Sequence, residues 1–100
     1  MAALMIVQAE VSRDPVQRAR YREYQSRVGP LIAAHGGRLR ASGVDLAVLE
    51  GVYDGRRLIV FEFPSMEALR GFWDSAEYAG IRTLREGAAR IDAWAVSAAD

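Results

Sequence analysis

The sequence contains no cysteine and no lysine, and it has a single histidine. The absence of cysteine excludes disulfides, thiolate nucleophiles and cysteine-ligated zinc or iron–sulfur sites. One histidine among scattered carboxylates is not the closely spaced ligand set of a catalytic zinc site. No G-x-S-x-G motif is present, so Ser65 and Ser75 are interpreted as helix caps rather than nucleophiles. We therefore expect no metal and no cofactor.

The chain also lacks an excess of charge of either sign and a long apolar run. Thirteen arginines balance thirteen acidic residues, so no strong field is available to attract nucleic acid or an anionic membrane. The apolar start, MAALMIVQAEV, has no basic flank and is too short for a membrane helix. These features predict a cytoplasmic protein that binds neither nucleic acid nor membrane.

What is present is the composition of an ordinary globular protein. The chain has 100 residues, of which 51% are hydrophobic and 26% charged. This length predicts one domain over residues 1–100. A chain of this size buries a modest share of its surface, so burying more in a dimer would add stability.

The first half of the chain predicts a strand followed by a helix. The apolar run Leu4–Val11 suits a strand. Asp14 then offers an N-cap, with proline at the next position and glutamine at N3. Gly29-Pro30 is expected to kink or restart the helix, and Gly36-Gly37 to end it. Three- and four-residue spacing places one group of side chains on a single helix face: Tyr21, Tyr24, Val28, Leu31, Ile32 and His35.

The second half predicts three more strands and a second helix. Arg38–Ser42 and Leu46–Glu50 are expected to form a broken second strand, and Asp54-Gly55 a hairpin turn into the third strand, Arg57–Phe63. Ser65 caps the second helix and Ser75 a further helical piece. The fourth strand is predicted at Arg90–Val96. The buried stripe of the second helix is predicted to contain Leu69, Phe72, Trp73 and Ala76.

The resulting order, βαββαβ, is the α+β ferredoxin-like pattern, with a four-stranded antiparallel sheet and two helices on one face. The first and third strands are apolar on both faces: Leu4 and Ile6 oppose Met5 and Val7 in the first strand. An uncovered apolar face indicates a partner. The simplest partner is a second copy packed sheet to sheet, so we expect a homodimer.

Four short segments occur in order along the chain: HGGR at 35–38, VLEG at 48–51, RLIVFEFPS at 57–65 and FWDSAEY at 72–78. In this order and at this spacing they resemble the DUF1330 family of the dimeric α/β-barrel superfamily. The resemblance runs from about Ile6 to Val96 and implies a ferredoxin-like protomer whose dimer closes into a barrel. It implies little chemistry; the wider superfamily includes cofactor-free monooxygenases, lactone isomerases and haem enzymes.

Glu62 and His35 are the candidate catalytic residues. Glu62 interrupts the apolar strand VFEF, where a carboxylate needs a partner or a raised pKa. It is either a general base or one half of a structural ion pair with Arg38 or Arg57. His35 stands at a helix end, where it either complements the helix dipole or shuttles protons near neutral pH.

The candidate ligand-binding residues are Tyr24, Arg38, Trp73 and Tyr78. Aromatic residues at helical spacing either form core or line a pocket between helices and sheet. The first hypothesis is a homodimer that binds a small organic molecule there and could support cofactor-free proton transfer or oxygenation. The second is a non-catalytic dimeric module whose polar residues secure the turns and the dimer.

Overall fold

The computed structural model describes residues 1–43 and 45–99 of the chain. All strand pairs of its four-stranded sheet are antiparallel, in the order β2-β3-β1-β4, which confirms the predicted ferredoxin-like βαββαβ fold. A short 3-10 turn, Thr83–Arg85, follows the last helix. The elements are β1 Ala3–Val11, α1 Pro15–Ala34, β2 Arg38–Ser42, β3 Arg57–Phe63, α2 Met66–Trp73, α3 Ala76–Arg82 and β4 Ala89–Ser97.

Helix α1 begins where the sequence predicts but does not break at Gly29-Pro30. Asp14 is the N-cap, and its Oδ2 accepts a hydrogen bond from the Gln17 N–H at 3.0 Å. The helix continues through Pro30 to Ala34, so the predicted restart is wrong, whereas the predicted kink stays a prediction. Proline removes the hydrogen bond to the carbonyl of Ser26, but both residues lie on the exposed side, where water can satisfy that carbonyl.

The predicted second strand is only half correct. Arg38–Ser42 forms β2, whereas the segment 46–50 is exposed and is not a strand. A Cβ on Gly43 would lie 2.6 Å from the backbone nitrogen of Leu58, so the chain crosses close to β3 as it leaves the sheet. β2 and β3 do pair antiparallel, but through a long connection rather than a tight Asp54-Gly55 hairpin. Val44, in the predicted turn, lies outside the described residues.

The core lies between the helices and one face of the sheet. In α2, Leu69 and Phe72 are buried and Trp73 is partly buried, but Ala76 is exposed, so its place in the predicted buried stripe is wrong. The reason is that α2 ends at Trp73 and Ala76 begins α3, a separate helix. The core residues are Ala3, Met5, Tyr21, Tyr24, Val28, Ile32, Phe63, Leu69, Phe72, Tyr78 and Ala88.

The other face of the sheet is the open face, and it carries apolar side chains that are only partly buried. Trp94 is 50% exposed and Val96 47% exposed. Strand register places these two side chains beside Ile6 and Leu4 of β1. The open face therefore combines the following residues from three strands: Leu4, Ile6, Leu58, Val60, Trp94 and Val96.

Candidate functional site

Three of the predicted ligand-binding residues meet on the helix side of the sheet. The hydroxyl oxygens of Tyr24 and Tyr78 are 3.0 Å apart and form a buried hydrogen bond. The rings of Trp73 and Tyr78 lie 5.1 Å apart between centroids. Because Tyr24 and Tyr78 are both buried and satisfy each other, their contacts are those of core residues with paired polar groups.

Two arginines lie over the rings of this aromatic group. The guanidinium carbon of Arg82 is 5.7 Å from the centre of the Trp73 ring, and that of Arg85 is 5.9 Å from the centre of the Tyr24 ring. Both distances are within the range of cation–π attraction. Burial, together with the neighbouring Tyr78, raises the pKa of Tyr24 well above its ordinary value, so its hydroxyl stays protonated.

Glu62 and Arg38 lie on the opposite, open face of the sheet. Register pairs Glu62 with Leu4, and both point away from the helices. Each oxygen of the carboxylate is 3.5 Å from a guanidinium nitrogen, one of Arg38 and one of Arg40. The Glu62 side chain is 29% exposed. Of the two arginine partners expected from the sequence, Arg38 lies beside Glu62, whereas Arg57 lies on the helix side of the sheet.

His35 caps the C-terminal end of α1. Its ring packs edge-on against Phe72, with 6.1 Å between ring centroids. Both ring nitrogens are buried and have no hydrogen-bond partner within residues 1–43 and 45–99. The sheet separates Glu62 and Arg38 from the aromatic residues, so the six predicted residues do not line one pocket. Their individual roles stay predictions.

A different feature, the α1 cleft, opens between α1 and the β2–β3 edge of the sheet. It has a volume of about 530 Å³. Its floor is apolar, and four of its lining residues are arginines. The lining residues are Ala9, Val11, Ser12, Arg13, Arg18, Tyr21, Arg22, Gln25, Leu39, Ser42, Arg57, Ile59 and Phe61.

Local sequence patterns place these side chains. Arg18, Tyr21, Arg22 and Gln25 are spaced i, i+3, i+4 and i+7, so they share one face of α1. Alternation along β3 directs Arg57, Ile59 and Phe61 to the helix side.

A register shift in β2 places a polar side chain beside this group. The shift lies between Leu39 and Ala41. It brings the following Ser42 to the cleft side, whereas unbroken alternation from Leu39 would have sent it to the other face. There its hydroxyl oxygen accepts hydrogen bonds from Arg57 Nη2 at 2.6 Å and from Arg57 Nε at 3.2 Å.

Tyr21 forms the wall between the cleft and the core. It is 7% exposed, and its ring stacks on Tyr24 with 5.5 Å between centroids. Burial raises the pKa of Tyr21, and the guanidinium groups of Arg85 and Arg57 offset only part of that effect. The phenol therefore stays protonated at neutral pH and can donate a hydrogen bond.

The arginines of the cleft were not predicted from the sequence. The i, i+3, i+4, i+7 spacing of Arg18, Tyr21, Arg22 and Gln25 is the one signal along the chain that indicates this face of α1. The contribution of Arg57 and Ser42 was not accessible from spacing, because it depends on strand register and on the shift in β2.

Two kinds of feature were not found in the part of the chain that the structure describes. It contains no group of three or more histidine, cysteine or acidic side chains arranged to hold a metal ion. None of its helices is long and apolar enough to cross a membrane. The cytoplasmic location stays a prediction.

The fold and the cleft define an α+β protein of the ferredoxin-like class with an open site on the helix side. Residues 2–99 match the family model described as a domain of unknown function, DUF1330, and the chain belongs to that family. This confirms the resemblance seen in the sequence. No curated protein matches the chain.

Solved structures share the fold at low sequence identity. A protein of unknown function from Rhodopseudomonas palustris is 18% identical, with a TM-score of 0.74 over 99% of this chain and 83% of that one. A dimeric ferredoxin-like protein of unknown function from Jannaschia sp. is 13% identical, with a TM-score of 0.69 over 98% and 100%. SnoaB, a cofactor-independent oxygenase from Streptomyces nogalater, is 12% identical, with a TM-score of 0.66 over 99% and 94%.

Proposed function

We propose that this protein binds a small, partly apolar organic molecule in the α1 cleft. The observation that carries the proposal is the cleft itself, about 530 Å³ with an apolar floor and a few convergent polar groups. Ligand sites in proteins have volumes of roughly 300–1,000 Å³ and this same division between apolar lining and a few polar contacts. The cleft satisfies both conditions.

The proposal shifts the ligand from the position expected from the sequence. Tyr24, Trp73 and Tyr78 pack against one another and stand behind the cleft, whereas Tyr21 lines it. Because Tyr21 stacks on Tyr24, a rigid aromatic cluster supports the wall that a ligand would touch. We assign the contact role to Tyr21 and a supporting role to the other three.

Filling the cleft tests the binding proposal. Small aromatic fragments that bind the wild type are first selected by screening. Gln25→Trp adds an indole at the exposed rim of the cleft and should weaken the binding of these fragments at least about tenfold, because fragment and indole compete for the same space. Binding is followed by NMR shifts of the Ile59 and Leu39 amides. Arg27→Trp, on the far side of α1, is the matched control and should leave affinity unchanged. Fragments that bind both variants equally would contradict the cleft as the site.

We also propose that the protein is a homodimer joined through the open face. In support, Trp94 and Val96 are half-exposed beside further apolar side chains, and a structural neighbour is described as dimeric. A second copy placed about a two-fold axis would cover this apolar face with an identical one. The extended apolar loop around Leu49 and Val52, 95% and 101% exposed, adds to the surface that a dimer would bury.

A single charge on the open face tests the dimer. Trp94→Glu should shift the protein from dimer to monomer in sedimentation or light-scattering measurements, because burying an unpaired carboxylate is costly. Val16→Glu is the matched control, since Val16 is 68% exposed on α1 and should tolerate the charge. A wild-type monomer at micromolar concentration, or a Trp94→Glu dimer, would contradict the proposal.

The second candidate function is a non-catalytic dimeric module. The contacts of Glu62 favour the structural role that this candidate gives it. The carboxylate faces the open side and is shared by two arginines, whereas the α1 cleft is lined by no carboxylate and no imidazole within the described residues. Glu62→Gln should therefore alter dimerisation or melting temperature and leave ligand affinity unchanged. Loss of ligand binding or of turnover in Glu62→Gln or His35→Gln would instead support the cofactor-free proton-transfer or oxygenation chemistry.

A further inference from the structure

The α1 cleft concentrates positive charge without an internal counter-charge. Four of the thirteen arginines line it, namely Arg13, Arg18, Arg22 and Arg57. None of its lining residues is acidic. Among residues 1–43 and 45–99, none of these four guanidinium groups lies within 4.0 Å of a carboxylate.

Each of the other nine arginines contacts a carboxylate, a backbone carbonyl or an aromatic ring, although the buried Nε of Arg85 has no hydrogen-bond partner within the described residues. Six of them form ion pairs, Arg20 donates to the backbone carbonyls of Thr83 and Glu86, and Arg82 and Arg85 lie over aromatic rings. Within the described residues, Arg57 is the one cleft arginine whose guanidinium has a hydrogen-bond partner, and that partner is the hydroxyl of Ser42. The six ion-paired arginines are Arg27, Arg38, Arg40, Arg56, Arg70 and Arg90.

The cleft arginines are placed where two of them can approach one ligand together. Arg18 and Arg22 are one helical turn apart, so their side chains leave α1 about 5–6 Å from each other at Cβ. Arg57 lines the opposite, sheet side, held by Ser42. Guanidinium groups bind anions that present two oxygens on one atom, such as carboxylates and phosphates, through two parallel hydrogen bonds, and a neutral amide on the ligand cannot form this charged pair.

We infer that the ligand of the α1 cleft is an organic anion with a flat apolar body. The body lies against Leu39, Ile59 and Phe61, and the anionic oxygens lie among Arg18, Arg22 and Arg57. This inference rests on the proposed function, because it specifies the chemical class bound in the same cleft. Carboxylates, sulfonates and phosphate esters share the required oxygen geometry.

The state of Tyr21 agrees with this arrangement. Burial raises the pKa of Tyr21, so its hydroxyl remains a neutral donor and adds no negative charge to the cleft. A neutral phenol in the wall can donate to an anionic oxygen, whereas a phenolate would repel it.

The test compares two probes of the same shape and different charge. We would titrate 2-naphthoate and 2-naphthamide into the full-length protein and follow amide shifts of Leu39, Ile59 and Phe61 by NMR. Naphthoate should bind at least about tenfold more tightly than naphthamide, a ratio that corresponds to about 1.4 kcal/mol. Raising the salt from about 50 to 500 mM should weaken naphthoate binding and leave naphthamide binding nearly unchanged, because the cleft arginines are exposed and their charges are screened.

Charge-removing variants then assign the effect to the cleft. Arg22→Gln and Arg18→Gln should each lower naphthoate affinity about threefold to tenfold while leaving naphthamide affinity unchanged. Arg27→Gln removes an exposed charge from the far side of the same helix and should change neither.

The outcomes separate this inference from the proposed function. Equal binding of both probes in the cleft, insensitive to Arg18→Gln and Arg22→Gln, would overturn the anion preference and leave the cleft as a neutral ligand site. No shift of the cleft amides with either probe at millimolar concentration would overturn both proposals. Shifts confined to the open face would also overturn both, because they would place the probes on apolar sheet surface.

Discussion

Tyr24 and Tyr78 show how aromatic residues with polar groups become part of a core. Each side chain is buried, and each hydroxyl has the other as its partner at 3.0 Å. The pair therefore removes two polar groups from water without leaving either unsatisfied. This mutual bond holds both hydroxyls in the core behind the α1 cleft.

Removing one hydroxyl of this pair should lower the free energy of unfolding by more than the hydrogen bond alone contributes, because the other hydroxyl is left buried and unpaired. Tyr24→Phe leaves the Tyr78 hydroxyl buried without its partner, a penalty of about 1–3 kcal/mol in the free energy of unfolding. The double variant Tyr24→Phe/Tyr78→Phe removes both hydroxyls, so its loss should be smaller than the sum of the two single losses. Urea unfolding of the wild type, the two single variants and the double variant, all at the same protein concentration, measures these losses. Strictly additive losses would show that the two hydroxyls are not coupled.

The end of α1 depends on a left-handed residue that sequence patterns identified correctly. The N–H of Gly37 donates to the Ile32 carbonyl at 2.9 Å and that of Gly36 to the Ala33 carbonyl at 3.0 Å, which is a Schellman motif. Gly36 has φ +83°, and a Cβ there would lie 2.9 Å from Pro64 Cδ. Backbone conformation and packing therefore both require glycine at this position.

Two glycines, one at the end of a helix and one inside a helix, should respond to alanine in opposite directions. Gly36→Ala must adopt a left-handed conformation against Pro64 and should lower the free energy of unfolding by at least about 1 kcal/mol. Gly71→Ala is the control: Gly71 is exposed inside α2, and beyond its chain neighbours and the helix backbone nothing lies within 4 Å of the position that an added methyl group would take. Gly71→Ala should therefore raise the free energy of unfolding by about 0.5–1 kcal/mol. Thermal and urea unfolding measure both, and equal effects would contradict the capping argument.

Across the whole protomer, the two faces of one sheet have different contacts. The helix face contributes to the core and the α1 cleft, and the open face carries apolar side chains that are only partly buried. Arg56 connects the long loop after β2 to the open face. Its guanidinium donates to Asp54 at 2.8 Å, to Asp92 at 2.6 Å and to Gln8 at 2.9 Å, so it bridges the loop to β4 and β1.

This bridge should make loop attachment sensitive to acid. The Arg56 backbone N–H donates to Asp54 and, with the guanidinium, lowers the pKa of Asp54 below its usual value of 3.8. A lowered folded-state pKa adds stability that is present above the unfolded value and lost as pH falls through the folded one. The wild type should therefore melt at a higher temperature than Asp54→Asn near pH 6, and this difference should shrink as the pH falls below 3.8.

Arg56→Gln provides the complementary measurement. It should reduce the difference in melting temperature between Asp54 and Asp54→Asn at pH 6 without abolishing it, because the guanidinium is gone while the backbone N–H of residue 56 still donates to the carboxylate. Asp74→Asn, in an exposed pair on α2, is the matched control and should show little change over the same range. A constant difference between wild type and Asp54→Asn down to pH 3 would contradict the bridge.

Short-range signals predicted most of the elements. N-caps at Asp14, Ser65 and Ser75 all accept the expected hydrogen bonds, because capping depends on residues three positions apart. The errors occurred where local preference competes with exposure or distant packing. Pro30 is tolerated because its lost hydrogen bond faces water, and the segment 46–50 is largely apolar but has no strand to pair with in the described protomer.

The sequence by itself determined the α+β class, the order of strands and helices, the family and the apolar character of the open face, because these follow from periodicity and caps along the chain. Only the tertiary structure decided which side chains share a site. Strand parity put Glu62 and Arg38 on one face and Tyr24 and Tyr78 behind the other, since a single residue step reverses the face. The shift between Leu39 and Ala41 brought Ser42 to Arg57, and the gap between α1 and the sheet created the arginine-lined cleft, which no spacing along the chain specifies.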